Sequence, residues 1–317
     1  MSIEKKPSAK LAVAGNQLLV DAASVEISEE LEGIGIEPIL LKGPSIARWL
    51  YAEPRSRSYA DCDLLVPFTD LERARGVLSD QGYVEESFPE LAGDRPLVSH
   101  PWTRVGSGIT VDLHYGLPGA EISPAKLWEV LSDHTESMEL RGGRVTVLSP
   151  AARAAHLALH AAQHGGGQPV IDLARAVEQL PEELWRDAVD VARLIGALDS
   201  FSAGLLLLDQ GSALVTTLSL PHPTSVDALM RAHSAPPAAR NIEWFMSRPT
   251  LREKLKLLIQ KVVPSPSFLR ARSTLARRGW LGLAAAYVWR PVSLLVRLVP
   301  GVIAWRRARR DAGVSRL

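Results

Sequence analysis

At 317 residues the chain exceeds the size at which a single hydrophobic core stops growing, roughly 250–300 residues, so two modules are expected. With 46% hydrophobic and 22% charged residues it has the composition of a folded protein, which excludes disorder along its whole length. The single cysteine, Cys62, excludes an intrachain disulfide, and the net charge of +1 hides an asymmetry: residues 235–317 hold 17 Lys and Arg against 3 Asp and Glu, the rest 19 against 32. Nothing calls for an oxidising compartment, and the stretch after Lys5 and Lys6 is broken by Gly15, Asn16, Gln17 and Asp21, unlike a signal peptide. The expected location is cytoplasmic, peripheral to a membrane if the basic tail meets an anionic surface.

Residues 8–32 read as a helix, with Leu11, Leu18, Leu19, Val25 and Leu31 at roughly helical spacing before Gly33 and Gly35 break it. The run Pro38 to Lys42 is a short buried strand entering a tight turn at Gly43, and Pro44 suits the first turn of a helix over 45–51, where its missing N–H costs nothing. Asp61 to Val66 is a second strand, stopped by Pro67. Thr69 is placed to cap a helix over 70–81, with Glu72 three positions on as in a capping box. Strands are expected over 84–87, 102–105 and 109–115, with a loop of no evident conformation over 91–99.

A helix over 124–132 and a hairpin turning at Gly142–Gly143 close this α/β part, and after Ser149–Pro150 the pattern turns helical over 151–164, 170–179, 182–197 and 201–208. The expected fold is α/β in the α+β sense, a small mixed sheet followed by a mainly helical C-terminal region. Its expected divisions are a core at 1–148, a helical domain at 149–234 and a basic helical tail at 235–317. Within the tail, Arg290, Pro291, Arg297 and Pro300 interrupt the apolar runs over 292–296 and 301–305, so no transmembrane segment is expected. Trp280, Trp289 and Trp305 among arginines fit an interfacial amphipathic helix or packing on the helical domain equally well.

The chemistry concentrates on three aspartates. Asp61 and Asp63 stand two apart on a strand, so their carboxylates leave one face while Cys62 and Leu64 point to the other. Two such charges about 5 Å apart repel by roughly 3 kcal/mol at an effective dielectric of ~20, which a hard divalent cation such as Mg²⁺ or Mn²⁺ removes. By itself D-x-D also fits an exposed or hydrogen-bonded acidic pair. Asp112 lies opposite in phase to Ile109, Val111 and Leu113, as a lone carboxylate able to join the pair, with His114 two residues on as a candidate for the rim. The strand, turn and helix start formed by Lys42, Gly43, Pro44 and Ser45 suit a phosphate, and Lys42, Arg55 and Arg57 offer cations to offset its charge. His156, His160 and His164 line one helical face but lack the glutamate of H-E-x-x-H, and they read as structural or substrate-contacting.

The runs LLKGPSIARWLYAEPRSRSYADCDLLV, TDLERARGVLSDQGY and VDLHYGL, with the later HLALHAAQHG and IDLARAVE, together resemble the uncharacterised nucleotidyltransferase family of the DNA polymerase β-like superfamily over roughly residues 30–200. That resemblance implies a small mixed sheet with helices on one face. It implies a turn at Gly43 and Ser45 against a triphosphate, Asp61 and Asp63 bridging divalent ions, and Asp112 on the catalytic one. Pro44 stands where many relatives carry a second small residue. The implied activity moves a nucleoside monophosphate from an NTP, such as ATP, to an acceptor: a protein hydroxyl, an RNA end, a sugar or a small molecule. A non-catalytic nucleotide-binding scaffold and a D-x-D glycosyltransferase are the alternatives. The glycosyltransferase would need a nucleotide-binding α/β half ahead of the motif, where only 60 residues stand.

Overall fold

The computed structural model describes residues 9–86 and 97–313. They divide into two compact units, one holding 9–86 and 98–221, the other Leu97 and 222–313. The first contains α1 (Ala9–Gly33), β1 (Ile39–Leu40), α2 (Pro44–Leu50), β2 (Asp61–Leu65), α3 (Leu71–Asp80), β3 (Tyr83–Glu85), β4 (Ser99–Arg104) and β5 (Thr110–His114). It continues with α4 (Pro124–Ser132), β6 (Thr135–Leu140), β7 (Gly143–Leu148), α5 (Pro150–His164), α6 (Gln168–Gln179), α7 (Glu182–Leu194), α8 (Leu198–Leu205) and α9 (Asp209–Thr217). The mixed α/β class expected from the sequence is the class found. Ser87 and residues 91–96 of the expected 84–87 strand and 91–99 loop lie outside the described residues.

The seven strands form one mixed sheet in the order β3-β4-β5-β2-β1-β7-β6. Strand β2 is central, antiparallel to β1 and parallel to β5. The two-residue side-chain period sends Leu40, Cys62, Leu64, Val111 and Leu113 to one face, where Val20 and Ile27 of α1 and Ala74 and Leu78 of α3 complete a core. The opposite face carries Ile39, Leu41, Leu65 and Leu148, which pack with α2, α4 and the helices from α5 to α8 around Trp185 and Phe201. The resemblance implied helices on one face alone. Here the helices after Pro150 bury apolar residues against the second, because Ala155, Ala158 and Leu159 present an apolar stripe to it.

Helix starts follow local chemistry. Ser123 and Ser149 each accept a hydrogen bond from the N–H three residues on, with proline in the first turn of α4 and α5. Thr69 does not take the capping role expected of it. A 3-10 turn over Phe68–Asp70 precedes α3, leaving Asp70 at the N-cap with no side-chain cap bond.

The second unit contains α10 (Val226–Ala232), α11 (Pro237–Met246), α12 (Leu251–Val262), α13 (Pro266–Arg272) and α14 (Gly279–Asp311). The expected interruption of the tail is overturned: α14 runs unbroken for 33 residues through Pro291 and Pro300, and by length and composition alone it is apolar enough to cross a membrane. Each proline removes one N–H donor and with it one bond of the helical ladder, at a cost of about 3 kcal/mol.

Candidate active site

The parallel register of β2 and β5 sets Asp63 directly opposite Asp112, with Asp61 opposite Thr110 and Leu65 opposite His114. In-register neighbours share a face, so the three aspartates and His114 rise from the same side of the sheet. Asp63 is fully buried at 0% exposure. Its Oδ1 receives the Lys42 Nζ at 3.0 Å and the His114 Nε2 at 3.1 Å. The same Nε2 lies 3.3 Å from Asp112 Oδ2, to which Ser99 Oγ donates at 3.4 Å. His114 is therefore no rim residue: it is buried, with its ring nitrogen joining the two carboxylates.

Each carboxylate keeps one oxygen in reserve. Asp63 Oδ2 and Asp112 Oδ1 are buried without a hydrogen-bond partner among the described residues, a condition that costs each about 1–3 kcal/mol unless a donor or cation is supplied. One ligand atom from each of Asp63, Asp112 and His114 lies within 4.8 Å of the others. This donor set fits a divalent cation: two hard carboxylate oxygens left open on adjacent strands, with Asp61 one step along β2 on the same face.

The electrostatics of the group are mutual. Burial raises the Asp63 carboxyl, but Lys42 and His114 outweigh it and hold the group below the usual carboxylate range. Burial opposes the charge on His114, yet the hydrogen bonds and charges of Asp112 and Asp63 push its imidazole up to about 9. Lys42 is likewise held above its ordinary value, burial being overcome by Asp63 and Asp61. Asp61 is raised, by burial first and the Asp63 charge second, against the pull of Lys42.

Lys42 reaches Asp63 because β1 ends beside β2, the Leu41 N–H donating to the Asp63 carbonyl at 3.0 Å. The chain then turns at Gly43, with φ 67° and ψ −112°, a conformation open to glycine. A Cβ there would meet the Asp61 carbonyl oxygen at 3.3 Å. Ser45 does not offer its hydroxyl to the cleft: it is buried and Oγ donates to the Leu41 carbonyl at 3.2 Å.

Arg57, expected as a cation against phosphate, is instead committed to a carboxylate. It is 4% exposed, and its guanidinium grips Asp172 of α6, Nε at 3.0 Å and Nη2 at 2.7 Å, while Nη1 donates to the Gly43 carbonyl at 3.2 Å. Tyr51 Oη and Gln168 Nε2 add hydrogen bonds to the same carboxylate at 2.6 and 2.8 Å. The arginine thus ties the Gly43 turn to the helical layer. Arg55 stands exposed on the 3-10 turn Pro54–Ser56, lining a different cavity with Arg48, Asp21 and Tyr59.

Asp172 and Tyr51 went unnoticed in the sequence. Their signal was a charged residue inside the buried stripe Asp172, Leu173, Ala176 of an otherwise amphipathic helix. In the histidine row of α5, His156 and His160 stack with ring centroids 5.9 Å apart, and His160 meets His164 edge-on at 4.7 Å. Burial, then the charges of Lys42 and His114, push His156 down to about 4, and burial with Lys42 lowers His160 as well, so both are neutral at pH 7.

A mixed sheet carrying paired acidic side chains on two adjacent parallel strands, backed by helices, is a nucleotidyltransferase-like fold. The family described as uncharacterised nucleotidyltransferase matches residues 6–210, and the chain belongs to it. Among curated proteins no match is found. Among solved structures the chain is similar to an antigenic nucleotidyltransferase-like protein from Paracoccidioides brasiliensis, at 15% identity and a TM-score of 0.35, covering 60% of this chain and 93% of that one.

Proposed function

We propose that the protein is a divalent-metal-dependent nucleotidyltransferase that moves a nucleoside monophosphate from an NTP to an acceptor hydroxyl and releases pyrophosphate. The observation that carries this reading is the pair of unpartnered oxygens on Asp63 and Asp112, facing the same side of two in-register strands. Asp63, Asp112 and Asp61 would hold Mg²⁺ or Mn²⁺, and the ion would supply positive charge against that building on the phosphoryl oxygens.

The remaining work falls to the chain itself. Lys42, at 20% side-chain exposure, can exchange part of its pairing with Asp63 for a phosphate oxygen. Gly43 lets the phosphates approach its backbone, and Arg57 fixes that turn through the Gly43 carbonyl as a positioning residue. The acceptor oxygen forms its new bond to the α-phosphorus as the bond to pyrophosphate breaks, and Asp112 takes the hydroxyl proton. His114, bonded to both carboxylates, holds their orientation.

A second reading, a nucleotide-binding scaffold without transfer, draws on the fact that Lys42 and His114 already neutralise Asp63. Incubation with each α-labelled NTP, with Mg²⁺, Mn²⁺ or chelator, over protein, RNA, sugar and small-molecule acceptors separates the two. Label transfer that depends on metal and is lost in Asp63→Asn supports the enzyme. Metal-dependent binding without turnover across the panel supports the scaffold.

A further inference from the structure

Helix α14 turns a continuous apolar face to solvent. Leu281, Val288, Val292, Leu295, Val299 and Ile303 recur at helical spacing along one side, their exposure running from 45% at Val292 to 77% at Val288. From Leu281 to Ile303 this stripe extends about 33 Å at 1.5 Å per residue. The charged residues within that span, Arg290 and Arg297, each stand two positions from a member of the stripe, hence roughly 160° round the helix. Arg290 is committed on that far side, donating to the Lys261 carbonyl at 2.9 Å and lying over the Phe268 ring at 5.1 Å.

Towards its two ends α14 packs on its own unit. Gly301 lies so close to α11 that an added Cβ would fall 2.7 Å from the Ala238 Cβ, and Trp305 Nε1 donates to Glu243 at 2.5 Å. Ala286 packs with Leu269 and Ala276, and Tyr287 Oη bonds the Pro264 carbonyl at 2.7 Å. Held at both ends in this way, the helix can lay its free face on a bilayer. Arginines bracket that face, Arg277 and Arg278 before it and Arg306 and Arg310 in line with its C-terminal end.

We propose that the second unit docks on an anionic lipid bilayer, α14 lying in the plane of the interface with its outward stripe among the acyl chains and the flanking arginines at the headgroups. Charge decides between occupants. Residues 235–317 carry 17 cationic against 3 anionic side chains, so pairing two copies through this face would bring like charges together, while anionic lipid complements them. Trp280 and Trp289, exposed beside the stripe, suit the boundary between headgroup and chain.

The test uses the full chain with vesicles of phosphatidylcholine alone or mixed with phosphatidylglycerol. Flotation with the mixed vesicles, weakened by salt and accompanied by a blue shift of tryptophan emission, is the expected result. The triple variant Val288→Asp, Leu295→Asp, Val299→Asp should lose at least about tenfold in partitioning. Because these side chains face solvent, it should keep the wild-type circular dichroism and melting profile. A wild-type chain that floats with neither vesicle, or a folded triple variant that floats as well as wild type, overturns the proposal. So does a wild-type dimer that the triple variant dissolves without any vesicle capture, which would make the stripe a self-association surface.

Discussion

Replacing Asp172 by alanine probes the tie between the candidate site and the helical layer. The carboxylate is fully buried at 0% exposure and accepts from Arg57 Nε and Nη2, Tyr51 Oη and Gln168 Nε2. Its removal strands the Arg57 guanidinium, only 4% exposed, without a counter-charge. Breaking one side of such a buried pair costs about 3–5 kcal/mol, because the remaining charge is desolvated and unpaired. For a unit of this size that corresponds to a fall in Tm of roughly 6–20 °C. Urea titrations monitored by circular dichroism measure the loss directly. The companion double variant Arg57→Met, Asp172→Leu removes both charges together and should recover most of the stability, since apolar replacements of buried pairs are often neutral. It should not recover nucleotide affinity, because the Nη1 bond to the Gly43 carbonyl is gone. A cost below about 1 kcal/mol for Asp172→Ala, or a double variant less stable than that single one, would refute the reasoning.

Substituting Gly43 by valine forces a side chain into a positive-φ conformation and against the Asp61 carbonyl, so stability should fall by about 1–3 kcal/mol and NTP binding by calorimetry should weaken; unchanged affinity would remove Gly43 from the phosphate turn. In chelator, stability should depend on pH with opposite slopes. The His156 imidazole, about 4 when folded against 6.5 unfolded, makes the protein lose stability as pH falls from 6.5 towards 4. The His114 imidazole, about 9 when folded, contributes stability that is complete below 6.5 and lost as pH rises through 9. Urea midpoints across this range should therefore decline on both sides, and His114→Gln should flatten the alkaline limb; an unaltered limb would exclude His114 as its cause. Chelator should leave the wild-type chain folded, with a cooperative melt that Mg²⁺ shifts upward, and a chain that unfolds on chelation would contradict the counter-charges seen here.

The sheet was legible where side-chain period and backbone constraint coincide. Alternation in residues 109–115 separated Val111 and Leu113 from Asp112 and His114, and Asp61 and Asp63 shared a phase, so their common face followed from local pattern. What pattern could not supply was depth. Nothing local distinguishes a rim histidine from one buried between two carboxylates, since that depends on which strand is the neighbour and in what register. Arg57 read as a cation for phosphate because its partner lies 115 residues away on α6. The prolines of α14 marked a break by propensity, yet the helix runs through both.

Within the aspartate cluster itself, charge is balanced by nearer partners. Three carboxylates on one face of two strands repel one another by several kcal/mol even at an effective dielectric of ~20. Lys42 lies 3.0 Å from Asp63, His114 bridges Asp63 and Asp112 at 3.1 and 3.3 Å, and the remaining carboxylate, Asp61, has its affinity for a proton raised. The chain therefore balances the cluster with its own cations and leaves one oxygen open on each of Asp63 and Asp112. Folding need not wait for metal, in contrast to small metallodomains whose fold is paid for by the ion. Under the proposed function, a divalent cation would be held by these open acceptors, and a triphosphate would offer Lys42 an anionic partner in exchange for Asp63. In that exchange the lysine would couple the carboxylates to the turn that begins at the next residue, Gly43.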